Sequence, residues 1–220
     1  MARQTLPSGT PVEVAAPHHA PLGLVIAPDI FGLRPLFDDM VAQIAAEQGW
    51  AVAAVEPFPH LPADADIDAR FAAVPGLMDD RVVGDLAAAG ALLGTASTAL
   101  IGFCMGGMYA NKAAAHGSFR RICSFYGMIR LPTLWRGDGQ AEPLPLVTGA
   151  PTSVGLLAIV GGRDPYTPAD DIDALEAAAC ATVTRYPEAD HGFVHDATRP
   201  AHRPADAADA WARMLAHVGA

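Results

Sequence analysis

Three side chains of this 220-residue chain have the types and the order that acyl transfer needs: Cys104, Asp164 and His191. Cys104 stands in Gly102-Phe103-Cys104-Met105-Gly106-Gly107, directly after the apolar run Ala99-Leu100-Ile101. A strand that turns sharply into a helix through Gly-x-Cys-x-Gly-Gly is a nucleophile elbow. The turn strains the nucleophile's backbone, and the glycines leave room for neighbouring chain. The helix N-terminus favours a thiolate through its dipole and free N–H groups. The N–H of Met105 points to where an oxyanion would form. A free Cys is more often a small buried apolar residue, but here strand, motif and helix coincide. Cys123 lies inside an apolar strand and Cys180 ends a helix, so both read as structural.

On such an elbow the acid and then the base follow the nucleophile along the chain. Asp164 comes just after the apolar run 156–160, in Gly161-Gly162-Arg163-Asp164-Pro165-Tyr166. A carboxylate there can accept the Nδ1–H of a histidine and fix its tautomer; a plain turn Asp beside Pro is the alternative. His191 follows the last strand, in Asp190-His191-Gly192-Phe193. Imidazole is the usual base for activating a thiol near neutrality. Asp190 is a rival acid, but adjacent residues rarely orient each other's side chains in this way. His18, His19, His60, His116, His202 and His217 stand mostly in polar or terminal settings and read as surface residues. No cluster has metal-ligand spacing. Neither metal nor cofactor is expected.

The elements that must position these groups alternate. Strand-like runs cover 22–27, 50–55, 98–103, 122–126, 156–160 and 182–186. Helical periodicity covers 37–48, part of 66–78, 80–93, 106–115, 170–179 and 206–218. This rhythm predicts an α/β fold with a mostly parallel sheet and helices on both faces. Ligands bind such sheets at the carboxyl ends of the strands, where Asp29, Cys104, Asp164 and the stretch around His191 fall. Segment 129–153 has several Pro and Gly residues and no clear period. A flap over the site and a plain surface insertion are both open readings of it.

Composition narrows the rest. The length suits one domain spanning 1–220. Half the residues are apolar (51%), which argues against disorder. A net charge of -10 disfavours nucleic acid. An odd count of three Cys and a polar stretch over 1–11 fit a reducing compartment without a signal peptide. No apolar run reaches membrane-spanning length. The expectation is a cytoplasmic protein, a monomer or small homo-oligomer, with a small-molecule substrate and no membrane or nucleic-acid partner.

The motifs Gly-Phe-Cys-Met-Gly-Gly, Gly-Gly-Arg-Asp-Pro-Tyr-Thr-Pro and Asp-His-Gly-Phe together resemble the dienelactone hydrolase family. Pro28-Asp29-Ile30-Phe31-Gly32 and Val83-Gly84-Asp85-Leu86 add to the match, which runs from Leu22 to the C-terminus. The resemblance implies an α/β-hydrolase fold without a large cap domain, and hydrolysis of a small ester or lactone. It implies Cys104, Asp164 and His191 as the triad, and the N–H groups of Ile30 and Met105 as the oxyanion donors. Asp29 falls where founding members carry a thiol-contacting Glu; it is one methylene shorter, and a turn-forming Asp is the other reading. His195 stands where they carry a substrate-clamping Arg. A second family Arg has Arg70 as its nearest counterpart here and Arg81 as a rival. With His195 as a weak clamp, the expected preference is for neutral over anionic substrates. An acyltransferase using the same acyl-enzyme, and a non-catalytic binding member of the fold, are the alternatives.

Overall fold

The computed structural model describes residues 2–220. Eight strands form one sheet in the order β1-β2-β4-β3-β5-β6-β7-β8. They are β1 (Ala2–Thr5), β2 (Pro11–Ala15), β3 (Gly23–Ala27), β4 (Ala51–Val55), β5 (Thr98–Phe103), β6 (Arg121–Phe125), β7 (Gly155–Gly161) and β8 (Ala181–Tyr186). Strands β3 to β8 pair in parallel, while β1 and β2 join antiparallel at the β4 edge. The N-terminal hairpin is absent from the sequence-based expectation. Its outer strand, Ala-Arg-Gln-Thr, is exposed at every residue and has no apolar alternation to reveal it.

The helices are α1 (Pro35–Gln48), α2 (Ile67–Ala73), α3 (Asp79–Leu92), α4 (Met105–Ala113), α5 (Pro143–Thr148), α6 (Ala169–Glu176) and α7 (Pro204–Val218). The sheet separates two apolar layers, because neighbouring strand residues point to opposite faces. Leu100 and Leu156 pack with α3 to α6 on one face; Ile101 and Leu157 pack with α1 and α7 on the other. Helix α7 shows how the pattern works: Ala207, Ala210, Met214 and Val218 recur at helical spacing and are its buried residues. Strands β3 and β4 are buried throughout, as strands covered on both faces should be. No described helix is long and apolar enough to cross a membrane.

Segment 129–153 is less irregular than its composition suggests. It holds a 3-10 turn over Thr133–Trp135 and the short helix α5. Leu144 and Val147 of α5 are buried in the core, so this part is a packed wall rather than a loose insertion.

Candidate active site

Strand β5 ends at Phe103, and α4 starts at Met105. Cys104, between them, takes φ 56° and ψ -115°, a conformation L-residues rarely adopt. Such a residue costs about 1–3 kcal/mol and persists because its surroundings fix it. The glycines on either side make it possible. A Cβ on Gly102 would lie 2.1 Å from the Gly106 carbonyl oxygen, and one on Gly106 would lie 2.0 Å from that of Ala27. The thiol is partly exposed, whereas Cys123 and Cys180 are buried.

Asp164 and His191 meet beside it, carried by the loops after β7 and β8. The Nδ1–H of His191 donates to Oδ2 of Asp164 at 2.8 Å. Asp164 is buried and also accepts the N–H of Tyr166, which fixes its carboxylate. Burial opposes a charge on His191. Its hydrogen bond to Asp164 and the neighbouring Cys104 sulfur outweigh that, and its pKa rises from 6.5 to about 10. Asp190 does not orient the ring: its carboxylate accepts the backbone N–H of His191. The ring of Tyr166 packs edge-on against His191, at 4.8 Å between centroids.

Cys104 and His191 open into a cavity of about 1190 Å³. Asp29 and Ile30, after β3, line the same cavity. The N–H groups of Ile30 and Met105 have no protein acceptor among the described residues. The turn around Ile30 is pinned from both sides: Phe31 N–H donates to the Asp29 side chain, and Gly32 N–H donates to the Asp29 carbonyl.

Asp29 sits in a buried network that sequence reasoning missed. Its carboxylate accepts both terminal nitrogens of Arg34, at 2.6 and 2.9 Å, and Nε2–H of His195 at 2.8 Å. Burial works against its charge, but the His195 and Arg34 contacts win and hold its pKa at about 2. The Tyr126 hydroxyl donates to Nδ1 of His195 at 2.5 Å. Tyr126 is itself held at φ 41°.

Three residues expected as substrate contacts from the sequence do not line this cavity. His195 is 7% exposed and spends both ring nitrogens on Asp29 and Tyr126, so it does not reach the cavity. Arg70 is buried and donates to the carbonyls of Ala63 and Ala65 and to Glu56. Arg81 lies against Asp85 and Thr10 and lines a different cavity, beside Met105 and Gly106. The cations that do line the cavity are Arg199 and Arg203. Arg203 pairs with Asp206, whereas Arg199 has no ion-pair partner among the described residues. Both follow His191 in a Pro-containing stretch, which gave no periodic signal.

The strand order, the elbow and the chain order of thiol, carboxylate and imidazole define an α/β-hydrolase. Within that class, the chain belongs to the dienelactone hydrolase family, whose model matches residues 11–220. A Synechocystis protein named "Putative carboxymethylenebutenolidase" is 35% identical over 120 residues; the match covers 52% of this chain and 47% of that protein. The crystal structure titled "Putative Dienelactone Hydrolase" from Klebsiella pneumoniae is 25% identical, with a TM-score of 0.85 over 99% of this chain and 97% of that one. A dienelactone hydrolase-like promiscuous phosphotriesterase from metagenomic libraries shares the fold at 18% identity, with a TM-score of 0.74 over 99% of this chain and 96% of that one.

Proposed function

We propose that this protein is a cysteine hydrolase of ester or lactone bonds, with Cys104 as nucleophile, His191 as acid and base, and Asp164 as the group that orients His191. The observation that carries this reading is the His191–Asp164 hydrogen bond of 2.8 Å, on a histidine that shares a cavity with a left-handed elbow cysteine.

His191 takes the thiol proton. The sulfur attacks the carbonyl carbon, and the carbonyl π electrons move onto oxygen, where the N–H groups of Ile30 and Met105 stabilise the charge. Collapse breaks the carbon–oxygen single bond, and the leaving alkoxide takes the proton from His191. A thioester remains. Water then attacks it while His191 accepts a proton, the carbon–sulfur bond breaks, and the acid and the free thiol are released. Asp29 takes no base role in this scheme, because its carboxylate is already occupied by Arg34, His195 and Phe31 N–H. Its part is to hold the Ile30 turn.

Cys104→Ala is expected to lower ester turnover by at least about a thousandfold while the protein stays folded. Mass spectrometry of the parent quenched early with a chromogenic ester should show the acyl mass on Cys104. An Ala variant as active as the parent, or an acyl group on another residue, refutes the assignment.

A further inference from the structure

We infer that the substrate of this site carries a bulky apolar group, a medium-length alkyl chain or an aromatic ring, next to the bond that is cleaved. The inference rests on the acyl-transfer reading above and names the substrate class for it. Single exposed apolar side chains are ordinary on protein surfaces. Here they are not scattered. Among the described residues, six large hydrophobic side chains are exposed, and four of them line the Cys104 cavity. These are Phe31 (42%), Phe71 (43%), Tyr166 (54%) and Leu134 (88%).

The cavity is also divided by chemistry. Its polar side chains come mostly from the chain around and after His191: Glu188, Asp190, Arg199 and Arg203. Its apolar side chains come from α2, from the 3-10 turn of segment 129–153, and from Phe31 after β3 and Tyr166 after β7. The first two pieces meet, since the rings of Phe71 and Trp135 lie 6.2 Å apart, and together they form one wall. A volume of about 1190 Å³ exceeds what a small lactone ring needs; cavities of roughly 300–1,000 Å³ already hold drug-sized ligands. Leu134, almost wholly in solvent, is the residue with most to gain from a ligand laid along that wall.

The test is a series of 4-nitrophenyl esters from acetate to octanoate. Complete burial of each methylene is worth up to about a fourfold gain in kcat/KM. The expected rise from acetate to octanoate is at least about tenfold, reflecting partial burial. Leu134→Ser and Phe71→Ser should each lower the octanoate-to-acetate ratio by at least about threefold. Leu92→Ser, an exposed leucine on α3 outside the cavity, should leave the ratio alone. A flat or falling series in the parent overturns the inference and leaves the hydrolase reading standing. So does a ratio that neither cavity variant moves. A parent that dimerises in sedimentation, with Leu134→Ser dissociating it and the ratio unmoved, also overturns the inference and makes the patch a contact between copies. No turnover of any ester defeats the hydrolase reading, and this inference with it.

Discussion

The chemistry of His191 is strongly altered by its place. Its pKa of about 10 keeps the imidazolium charged well above neutrality. In the proposed mechanism, the proton it carries is the one the leaving alkoxide needs. Acylation is therefore expected to persist to about pH 9 and to fall as pH rises through about 10, where the imidazolium is lost. Asp164→Asn removes the negative charge that stabilises the imidazolium, so the alkaline limb should move to lower pH as well as lowering kcat. A kcat/KM profile of both proteins checks this; a parent limb near 6.5, or a limb that the Asn variant leaves in place, contradicts it. At this scale the sequence revealed groups whose placement follows from local chain geometry. Cys104 is marked by its glycines, and Asp164 and His191 by strand ends and chain order. Groups defined by where a long side chain turns were not legible. His195, Arg70, Arg81 and Arg199 look alike as basic residues in a sequence, yet one lies in a buried hydrogen-bonded chain, one is tied to carbonyls, one lines a different cavity and one enters the Cys104 cavity.

The elements divide in the same way. Every parallel strand and every long helix was visible as an apolar run or a period, because each buries a face. The β1–β2 hairpin was not, because its outer strand is exposed at every residue and its inner strand is only five residues long. Helix α5 was not, because six residues with two prolines carry no measurable period. Glycine placement shows how tightly the elbow is built. Gly106→Ala would press a Cβ into the carbonyls of Ala27 and Pro28, at 2.0 and 2.4 Å, and neither is the end of a flexible side chain. A loss of more than about 3 kcal/mol, or failure to fold, is expected. Gly84, inside α3, would meet nothing within 4 Å. Gly84→Ala should therefore stabilise the protein by up to about 1 kcal/mol through helix propensity. Urea unfolding of the two variants compares them directly, and equal effects would mean that the close approach at the elbow is not limiting.

At the scale of the whole molecule, the charge of -10 and the cation at the cavity act against each other. The field of the whole surface repels an anionic substrate from a distance, while Arg199 attracts it at short range. Salt screens the distant term more, since the Debye length is about 10 Å at 0.1 M. Raising ionic strength from about 10 to 200 mM should therefore increase kcat/KM for an anionic ester relative to a neutral isostere, by roughly two- to fivefold. A ratio that falls with salt would mean that attraction at the cavity prevails even at long range.

The arrangement of the three thiols decides how the protein meets an oxidant. Burial pushes the thiols of Cys123 and Cys180 up in pKa, and both are shut inside the fold, so neither is a ready target. Cys104 is open to solvent beside a charged imidazole. Peroxide should convert it first to the sulfenic acid. No second described cysteine is exposed to trap that species as an internal disulfide. An added small thiol should restore activity, before a second oxidation makes the damage permanent.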